Sequence, residues 1–215
     1  KWVFVTLTVK NCHISDLRAT IGIMNTGFNA LVRKLKNRIG NIGYVKSVEV
    51  TRAKDDTAHP HFHVLFFFPA SYFKKTYLKT LEWVTLWQEC AKLSYAPSVD
   101  VRAIYSKRSN GGGIDDTAIN SAVAETAKYA TKSADFVKPD KTKPQDPYWW
   151  FYEYLRQIKG LRFISVGGCL KGLIKPEWLD AKTNDEMIHF AEDEKLAHEE
   201  EVLIQFNFHR VVQRY

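Results

Sequence analysis

The sequence predicts an α+β fold with a central antiparallel sheet and helices packed on its face. Three observations support this prediction. Segments rich in β-branched and aromatic residues alternate with amphipathic helical segments along the 215 residues. The connection between the second and third predicted strands is short, which favours an antiparallel pair. Apolar residues make up 45% of the chain, enough for a hydrophobic core.

The strands are predicted from runs of strand-forming residues, several of them alternating between apolar and polar positions. The fifth strand should end at the pair Gly167-Gly168. A further strand is predicted near the end of the sequence, at residues 202–212. The five earlier strands are predicted at residues 2–9, 44–51, 59–68, 99–105 and 162–166.

The helices are predicted from apolar residues spaced three or four apart. The first should begin at Ser15 or Asp16 as N-cap and stop at Gly40. The second should begin at Ser71, end near residue 93 and turn four side chains inward, namely Tyr77, Leu81, Val84 and Trp87. Three further helices are predicted at residues 117–132, 148–158 and 184–201, and a mobile basic loop at residues 106–113.

Domain organisation is predicted from the same pattern. Residues 1–137 should form a core that includes the helix carrying Tyr129. Residues 138–147 contain three prolines and read as a loop or linker. Residues 148–215 should form a C-terminal extension that packs on the core. Its acidic segment, 184–201, is interpreted as a helix with a solvated face.

Charge is unevenly distributed along the chain. Residues 184–201 hold eight acidic residues and one basic residue, so the remainder holds 30 of the 31 basic and 16 of the 24 acidic residues. A body this basic favours a polyanionic partner, most simply nucleic acid. Three widely spaced cysteines without a C-x-x-C motif suit a reducing cytoplasm. No apolar run reaches the length of a membrane span, so no membrane partner is expected.

Three histidines alternate with other residues just before an apolar run. His59, His61 and His63 should share one face of a strand because side chains two apart point the same way. Such a strand can present several metal ligands to one cleft. Three unrelated histidines, one of them packed in the core, remain an alternative.

Glu49 lies in the middle of the preceding strand, between two valines that point to the opposite face. A buried carboxylate needs a compensating cation. Two imidazoles and one carboxylate make a plausible three-ligand site that suits Mn²⁺, or Mg²⁺ with extra waters, and does not exclude Zn²⁺. A glutamate that simply faces solvent is the alternative.

A second group of reactive side chains lies on the helix predicted at residues 117–132. Glu125 and Tyr129 are four residues apart, so they share one helix face, and Lys132 extends it. A phenol with a pKa of about 10 attacks a phosphodiester only if a cation polarises the phosphate and another group takes the proton. Lys128 or Lys132 would stabilise the phenolate or the phosphate, and Glu125 would act as base toward a water or the phenol. The alternative is an exposed tyrosine beside an ordinary Glu–Lys pair.

Together these segments resemble the rolling-circle replication initiators that carry the HUH motif (histidine, hydrophobic residue, histidine). The motif itself is matched by His61-Phe62-His63. Residues 4–9 (Phe-Val-Thr-Leu-Thr-Val) resemble the first motif of this family, and Glu125-x-x-Lys128-Tyr129-x-x-Lys132 resembles the third, which carries the tyrosine nucleophile. Residues 162–168 are similar to a segment of the single-tyrosine initiators of small Gram-positive plasmids. The resemblance spans roughly residues 2–170.

The resemblance implies the HUH endonuclease fold, with a ferredoxin- or RRM-like core and the tyrosine helix beside the sheet. His61 and His63 would bind a divalent ion, Mn²⁺ or Mg²⁺, with Glu49 as third ligand and His59 as an additional candidate. Tyr129 would nick one strand at the double-strand origin and retain the 5′ phosphate. Glu125 would activate water at termination.

The resemblance also implies partners. Origin DNA would be recognised as a single-stranded or hairpin nick site, and a host helicase and DNA polymerase would be needed because no Walker A motif is present. A dimer on DNA is compatible with this picture. Two alternatives stay open: another HUH nuclease, either a transposase or a relaxase, and a non-enzymatic DNA-binding module with a structural metal.

Overall fold

The computed structural model describes residues 1–104, 146 and 148–172, all within the compact unit Lys1–Ile174. Its five strands form one antiparallel sheet in the order β4-β1-β3-β2-β5. The predicted fold class, an antiparallel sheet with packed helices, is confirmed. The strands are β1 Trp2–Thr8, β2 Gly43–Arg52, β3 Ala58–Phe67, β4 Val99–Ile104 and β5 Ile164–Gly168.

Three described helices pack on one face of the sheet: α1 Leu17–Ile39, α2 Thr80–Cys90 and α3 Trp149–Ile158. Their apolar side chains meet every second residue of the central strands, because residues two apart along a strand share a face. The result is one large core that includes Phe28 of α1, Trp83 and Trp87 of α2 and Trp150 of α3. None of the described helices combines the length and the apolar composition needed to cross a bilayer.

The ends of α1 lie where the sequence predicts them. Asp16 occupies the N-cap position, but its side chain makes no cap hydrogen bond. Instead, the backbone N–H of Arg18 donates to Oε1 of Gln157 on α3, at 3.0 Å. Gly40, with φ of 98°, ends the helix, and its N–H donates to the carbonyl oxygen of Lys36. The start of α1 is therefore stabilised by a residue that is distant in sequence.

The predicted second helix is divided in two. A π-helical turn, Tyr72–Thr76, is followed by an extended residue, Tyr77, and α2 begins only at Thr80. This break resets the helical phase, so the prediction that Tyr77 and Leu81 point inward is wrong: they are 48% and 73% exposed. The buried positions of α2 are instead Trp83, Trp87 and Cys90.

The fifth strand begins two residues later than predicted, at Ile164, and continues through both glycines. Gly167 pairs with Tyr44 of β2, whose ring lies where a Cβ on Gly167 would project, at 2.3 Å. Gly168 has φ of 64°, and a Cβ there would lie 2.0 Å from the carbonyl oxygen of Ile42. The strand can continue through these positions because neither residue has a side chain.

Strand β3 lies at the centre of the sheet, between β1 and β2. Its even-numbered residues from Phe62 to Phe66 face the helices, so His59, His61, His63 and Leu65 face the opposite side. On that side the described strands form a second, smaller apolar cluster around Phe4, Val45 and Leu65. The histidines therefore lie on the face opposite the described helices, next to this cluster.

Several predictions fall outside the described residues. These are the basic loop, the tyrosine helix, the acidic segment 184–201 and the strand at 202–212. The predicted domain boundaries at residues 137 and 147 fall there too, and they stay predictions.

Candidate metal centre

Antiparallel pairing of β2 and β3 brings three potential ligands together. Glu49 lies directly opposite His61, and His63 is the next residue of β3 on the same face. Their nearest ligand atoms all lie within 4.8 Å of one another. Within the described part of the chain this is the one group of at least three such residues with that geometry.

A single carboxylate oxygen joins the group. Oε2 of Glu49 lies 2.7 Å from Nε2 of His61 and 2.7 Å from Nε2 of His63. The two imidazole rings meet edge to face, with centroids 4.9 Å apart. All three residues are at most 9% exposed. Both Nε2 atoms therefore point at the same small volume beside the carboxylate.

Glu49 is held in its charged form. Burial of the carboxylate acts to raise its pKa, but hydrogen bonds to His61 and His63, and coulombic attraction to both rings, outweigh burial and lower the pKa from 4.5 to about 2. The group thus presents a permanent anionic oxygen between two imidazoles.

The second nitrogen of each ring has its own partner. Nδ1–H of His61 donates to the backbone carbonyl oxygen of His59, at 3.2 Å, and Nδ1 of His63 lies 3.2 Å from Oγ1 of Thr6. A metal ion would replace the proton through which Nε2 bonds to Glu49; with a proton on Nδ1, the Nε2 lone pair is then free to bind the ion, and such outer contacts fix ring orientation. Thr6 was not singled out from the sequence, although it lies within the matched first motif.

The donor set fits a divalent cation. Two imidazole nitrogens and one carboxylate oxygen are ligands of Zn²⁺ and Mn²⁺, and they hold Mg²⁺ when waters complete the coordination. Three protein ligands also leave positions for substrate oxygen. Glu49, His61 and His63 can therefore bind a metal ion, whose identity the donor set does not specify.

His59 lies beside this group and not within it. Its ring centroid is 5.2 Å from that of His61, and it pairs with Thr51 of β2. Burial, and then the neighbouring His61, lower the pKa of His59, while Glu49 opposes that shift. A largely uncharged imidazole thus stands at the outer edge of the site.

The predicted tyrosine group cannot be placed relative to the metal ligands. Tyr129, Glu125, Lys128 and Lys132 all lie outside the described residues. Their approach to the ion stays a prediction.

Basic residues near the end of α1 are partly engaged within the protein. Lys34 bridges to Glu89 at 2.7 Å and Arg38 to Glu82 at 2.9 Å, which ties α1 to α2. Exposed pairs of this kind contribute little stability. Arg33 and Lys36 are exposed. Two of the four cations near the end of α1 therefore have carboxylate partners within the protein.

Comparison with known proteins identifies relatives over most of the chain. Residues 1–215 match the profile of the family Rep_1, described as "Replication protein". The chain is 33% identical over 218 residues to "Protein rep" of Lactiplantibacillus plantarum, covering 98% of this chain and 67% of that protein. It is 34% identical over 208 residues to "Protein rep" of Bacillus amyloliquefaciens, covering 91% and 60%.

A third relative, "Replication protein" of Staphylococcus aureus, is 34% identical over 199 residues, with 91% of this chain and 81% of that protein covered. The chain thus spans between 60% and 81% of the length of these three relatives. No solved structure matches the chain significantly.

Proposed function

Since the chain belongs to the replication protein family, Rep_1, we propose that it initiates rolling-circle replication of a plasmid by nicking one DNA strand in a metal-dependent reaction. Family membership confirms the resemblance inferred from the sequence motifs. The observation that carries the proposed chemistry is the convergence of Glu49, His61 and His63 on one buried point of the sheet. A site of this kind suits phosphodiester chemistry.

A bound divalent cation, Mn²⁺ or Mg²⁺, would neutralise and polarise the scissile phosphate. Glu49, His61 and His63 would hold it on the face of the sheet opposite α1. The low pKa of Glu49 keeps one negative ligand available at any pH near neutrality.

Tyr129 would act as nucleophile. Its phenolic oxygen would form a bond to the phosphorus of the scissile phosphodiester, and the bond from phosphorus to the 3′ oxygen would break. The products would be a 5′-phosphotyrosine and a free 3′ hydroxyl, which takes up a proton and primes synthesis. Lys128 and Lys132 would stabilise the phenolate or the phosphate. At termination Glu125 would activate a water that hydrolyses the phosphotyrosine.

The partners follow from this reaction. The substrate would be the double-strand origin, presented as a single strand or a hairpin, and synthesis would need a helicase and a polymerase of the host. The protein would act in the cytoplasm, where the plasmid is replicated.

Formation of a covalent adduct tests the proposal. Single-stranded oligonucleotides that tile the replicon encoding this chain should yield, with Mn²⁺, one protein–DNA adduct that survives denaturing electrophoresis. Tyr129→Phe should abolish the adduct, and EDTA should prevent it. Tyr148→Phe, which alters an exposed tyrosine outside the proposed site, is the matched control and should retain it.

An adduct of undiminished yield with Tyr129→Phe would show that another residue is the nucleophile. Glu125→Ala has a separate readout: it should nick at the wild-type rate and lose hydrolytic release of the strand at termination.

A further inference from the structure

We propose that Ser47 is a fourth member of the metal centre, whose hydroxyl forms a hydrogen bond with a hydration water of the cation held by Glu49, His61 and His63. This inference rests on the proposed metal binding and extends it to a residue that the sequence motifs do not include. It is argued from the position of the buried Ser47 hydroxyl, which makes no hydrogen bond within the described residues.

Ser47 stands in a polar row that crosses three neighbouring strands. On β3, His63 pairs with Thr6 of β1 on one side and with Ser47 of β2 on the other. Directly opposed residues of an antiparallel pair lie on the same face, with Cβ atoms about 4.5–5.5 Å apart. Ser47 is also two residues from Glu49 and shares its face. It therefore borders two of the three ligands.

The hydroxyl of Ser47 is fully buried and makes no hydrogen bond within the described residues. The residue is 0% exposed, and no described donor or acceptor meets its Oγ in hydrogen-bonding geometry. Buried polar groups are nearly always paired, because a buried hydroxyl without a partner loses the hydrogen bonds it would make to water. A buried hydroxyl that makes no hydrogen bond within the described residues and lies beside a cluster of ligand atoms is placed to bond a hydration water of a cation held there.

The two hydroxyls of the polar row differ in a way that supports this assignment. Thr6 is already used, since its Oγ1 lies in hydrogen-bonding range of Nδ1 of His63. On its other side Ser47 faces Ile164 of β5, and the next residue on its face along β2 is Val45. Alanine would suit such apolar neighbours better than serine. By strand register, the polar residues next to Ser47 on this face are His63, directly opposite on β3, and Glu49, two residues along β2.

Water bound to the cation is the partner that suits the Ser47 hydroxyl. Three protein ligands do not complete the coordination of Mn²⁺ or Mg²⁺, and both ions retain waters in protein sites. Such waters are strong hydrogen-bond donors, and a serine oxygen accepts from them. Outer contacts of this type typically change metal affinity by about 10- to 100-fold.

The competing explanation is that Ser47 merely provides a small side chain between β3 and β5. The two explanations predict different effects of Ser47→Ala. If the hydroxyl serves only the cation, its removal should not harm the metal-free protein and should weaken metal binding. If serine matters for size alone, alanine should leave metal binding unchanged.

The experiment compares wild type, Ser47→Ala and Ser165→Ala by thermal unfolding in EDTA and by calorimetric titration with Mn²⁺. Ser165 lies on the adjacent strand β5, opposite Lys46 and on the other face, so its variant is the matched control. In EDTA, Ser47→Ala should unfold about 2–4 °C above wild type, because an unpaired buried hydroxyl is removed. With Mn²⁺, its dissociation constant should rise about tenfold. Ser165→Ala should retain the wild-type dissociation constant.

Two outcomes overturn the assignment: an unchanged dissociation constant for Mn²⁺ in Ser47→Ala, or a lower unfolding temperature of that variant in EDTA. If wild type binds Mn²⁺ and Ser47→Ala binds it equally well, the Ser47 assignment fails while the proposed function stands. If wild type itself binds no Mn²⁺, the proposed metal centre fails and Ser47 loses its role with it.

Discussion

At the scale of residues, the site depends on one oxygen atom, Oε2 of Glu49, which contacts Nε2 of both His61 and His63. Two positive or proton-bearing partners compensate for burial of the carboxylate, and a divalent cation would do so more strongly. The outer contacts from Thr6 and from the backbone of His59 then set the orientation of the rings. The site is therefore preformed in the protein.

Thr6→Val tests this orientation. Valine keeps the shape of threonine but removes the hydroxyl near Nδ1 of His63, so the ring loses the contact that fixes it. We expect the dissociation constant for Mn²⁺, measured by calorimetry, to rise about tenfold. Thr8→Val is the matched control, because Thr8 lies opposite His61 as Thr6 lies opposite His63, but the Thr8 hydroxyl donates to the carbonyl oxygen of Ser98. Equal affinities of the Thr6 and Thr8 variants would show that Thr6 does not position His63.

The burial of Lys46, on the face of the sheet that the helices cover, can be tested through the pH dependence of stability. It is buried against the rings of Phe28 and Phe62, with Nζ bonded to Oδ1 of Asn25, and burial lowers its pKa from 10.5 to about 8. Between pH 8 and pH 10.5 the folded state therefore binds fewer protons at Lys46 than the unfolded state does. The contribution of Lys46 to stability is complete above about pH 10.5 and is lost as the pH falls through about 8.

Lys46→Met removes this titration and preserves most of the packing. The free energy of unfolding of wild type minus that of Lys46→Met should rise between pH 7.5 and 10.5 by up to about 3 kcal/mol. Urea unfolding at several pH values measures it. If the free energies of unfolding of the two proteins changed with pH in the same way, Lys46 would not be buried as described.

The cluster of Glu49, His61 and His63 could be predicted from sequence, but the residues that we propose support it could not. His61 and His63 share a face of their strand because they are two residues apart, and Glu49 lies on the same face of the neighbouring strand. The roles of Thr6 and Ser47 depend on the register of β1 and β2 against β3, which joins residues far apart in the chain. No local pattern specifies such a register.

At the scale of elements, α1 and α2 approach each other closely at one glycine. A Cβ on Gly27 would lie 2.7 Å from Cα of Ala91, just beyond the end of α2. This contact, with the bridges from Lys34 and Arg38, fixes α2 against α1. Gly22 lies one and a half turns earlier on α1, and apart from the neighbouring backbone of the helix no atom of the described residues lies within 4 Å of its Cβ position.

Gly27→Ala and Gly22→Ala should therefore have opposite effects. Alanine is favoured over glycine inside a helix by about 1 kcal/mol, so Gly22→Ala should raise the free energy of unfolding by about 0.5–1 kcal/mol. At Gly27 the clash with backbone should outweigh this gain and destabilise the protein by about 1–3 kcal/mol. Urea unfolding measures both. Stabilisation by Gly27→Ala would contradict the described packing of α1 and α2.

The elements themselves were largely predictable, with one instructive failure. The limits of α1 follow from its periodicity and from Gly40, and those of β2 and β3 from their composition. In the second helix, spacing of three and four positions continued through residues 77–79, where the chain is extended. Lys79 then forms the N-cap of α2, and its backbone N–H donates to the carboxylate of Glu82. Periodicity alone did not reveal that the helix restarts in a different phase.

At the scale of the whole molecule, the sheet joins segments that are distant in sequence. Strand β5 pairs with β2 across more than 100 residues, and α3 supplies Gln157 to the start of α1. The order of strands therefore depends on non-local contacts, which residue patterns do not determine. What the sequence did supply was the antiparallel hairpin of β2 and β3, and that hairpin contains all three proposed metal ligands.

The most direct test of the metal centre is anomalous diffraction from crystals of the protein grown with Mn²⁺. The structure predicts a strong anomalous peak on the sheet face opposite α1, with Nε2 of His61, Nε2 of His63 and a carboxylate oxygen of Glu49 each about 2.0–2.3 Å from the ion. If that position shows no peak while Mn²⁺ is bound elsewhere in the crystal, these three residues do not form the metal site.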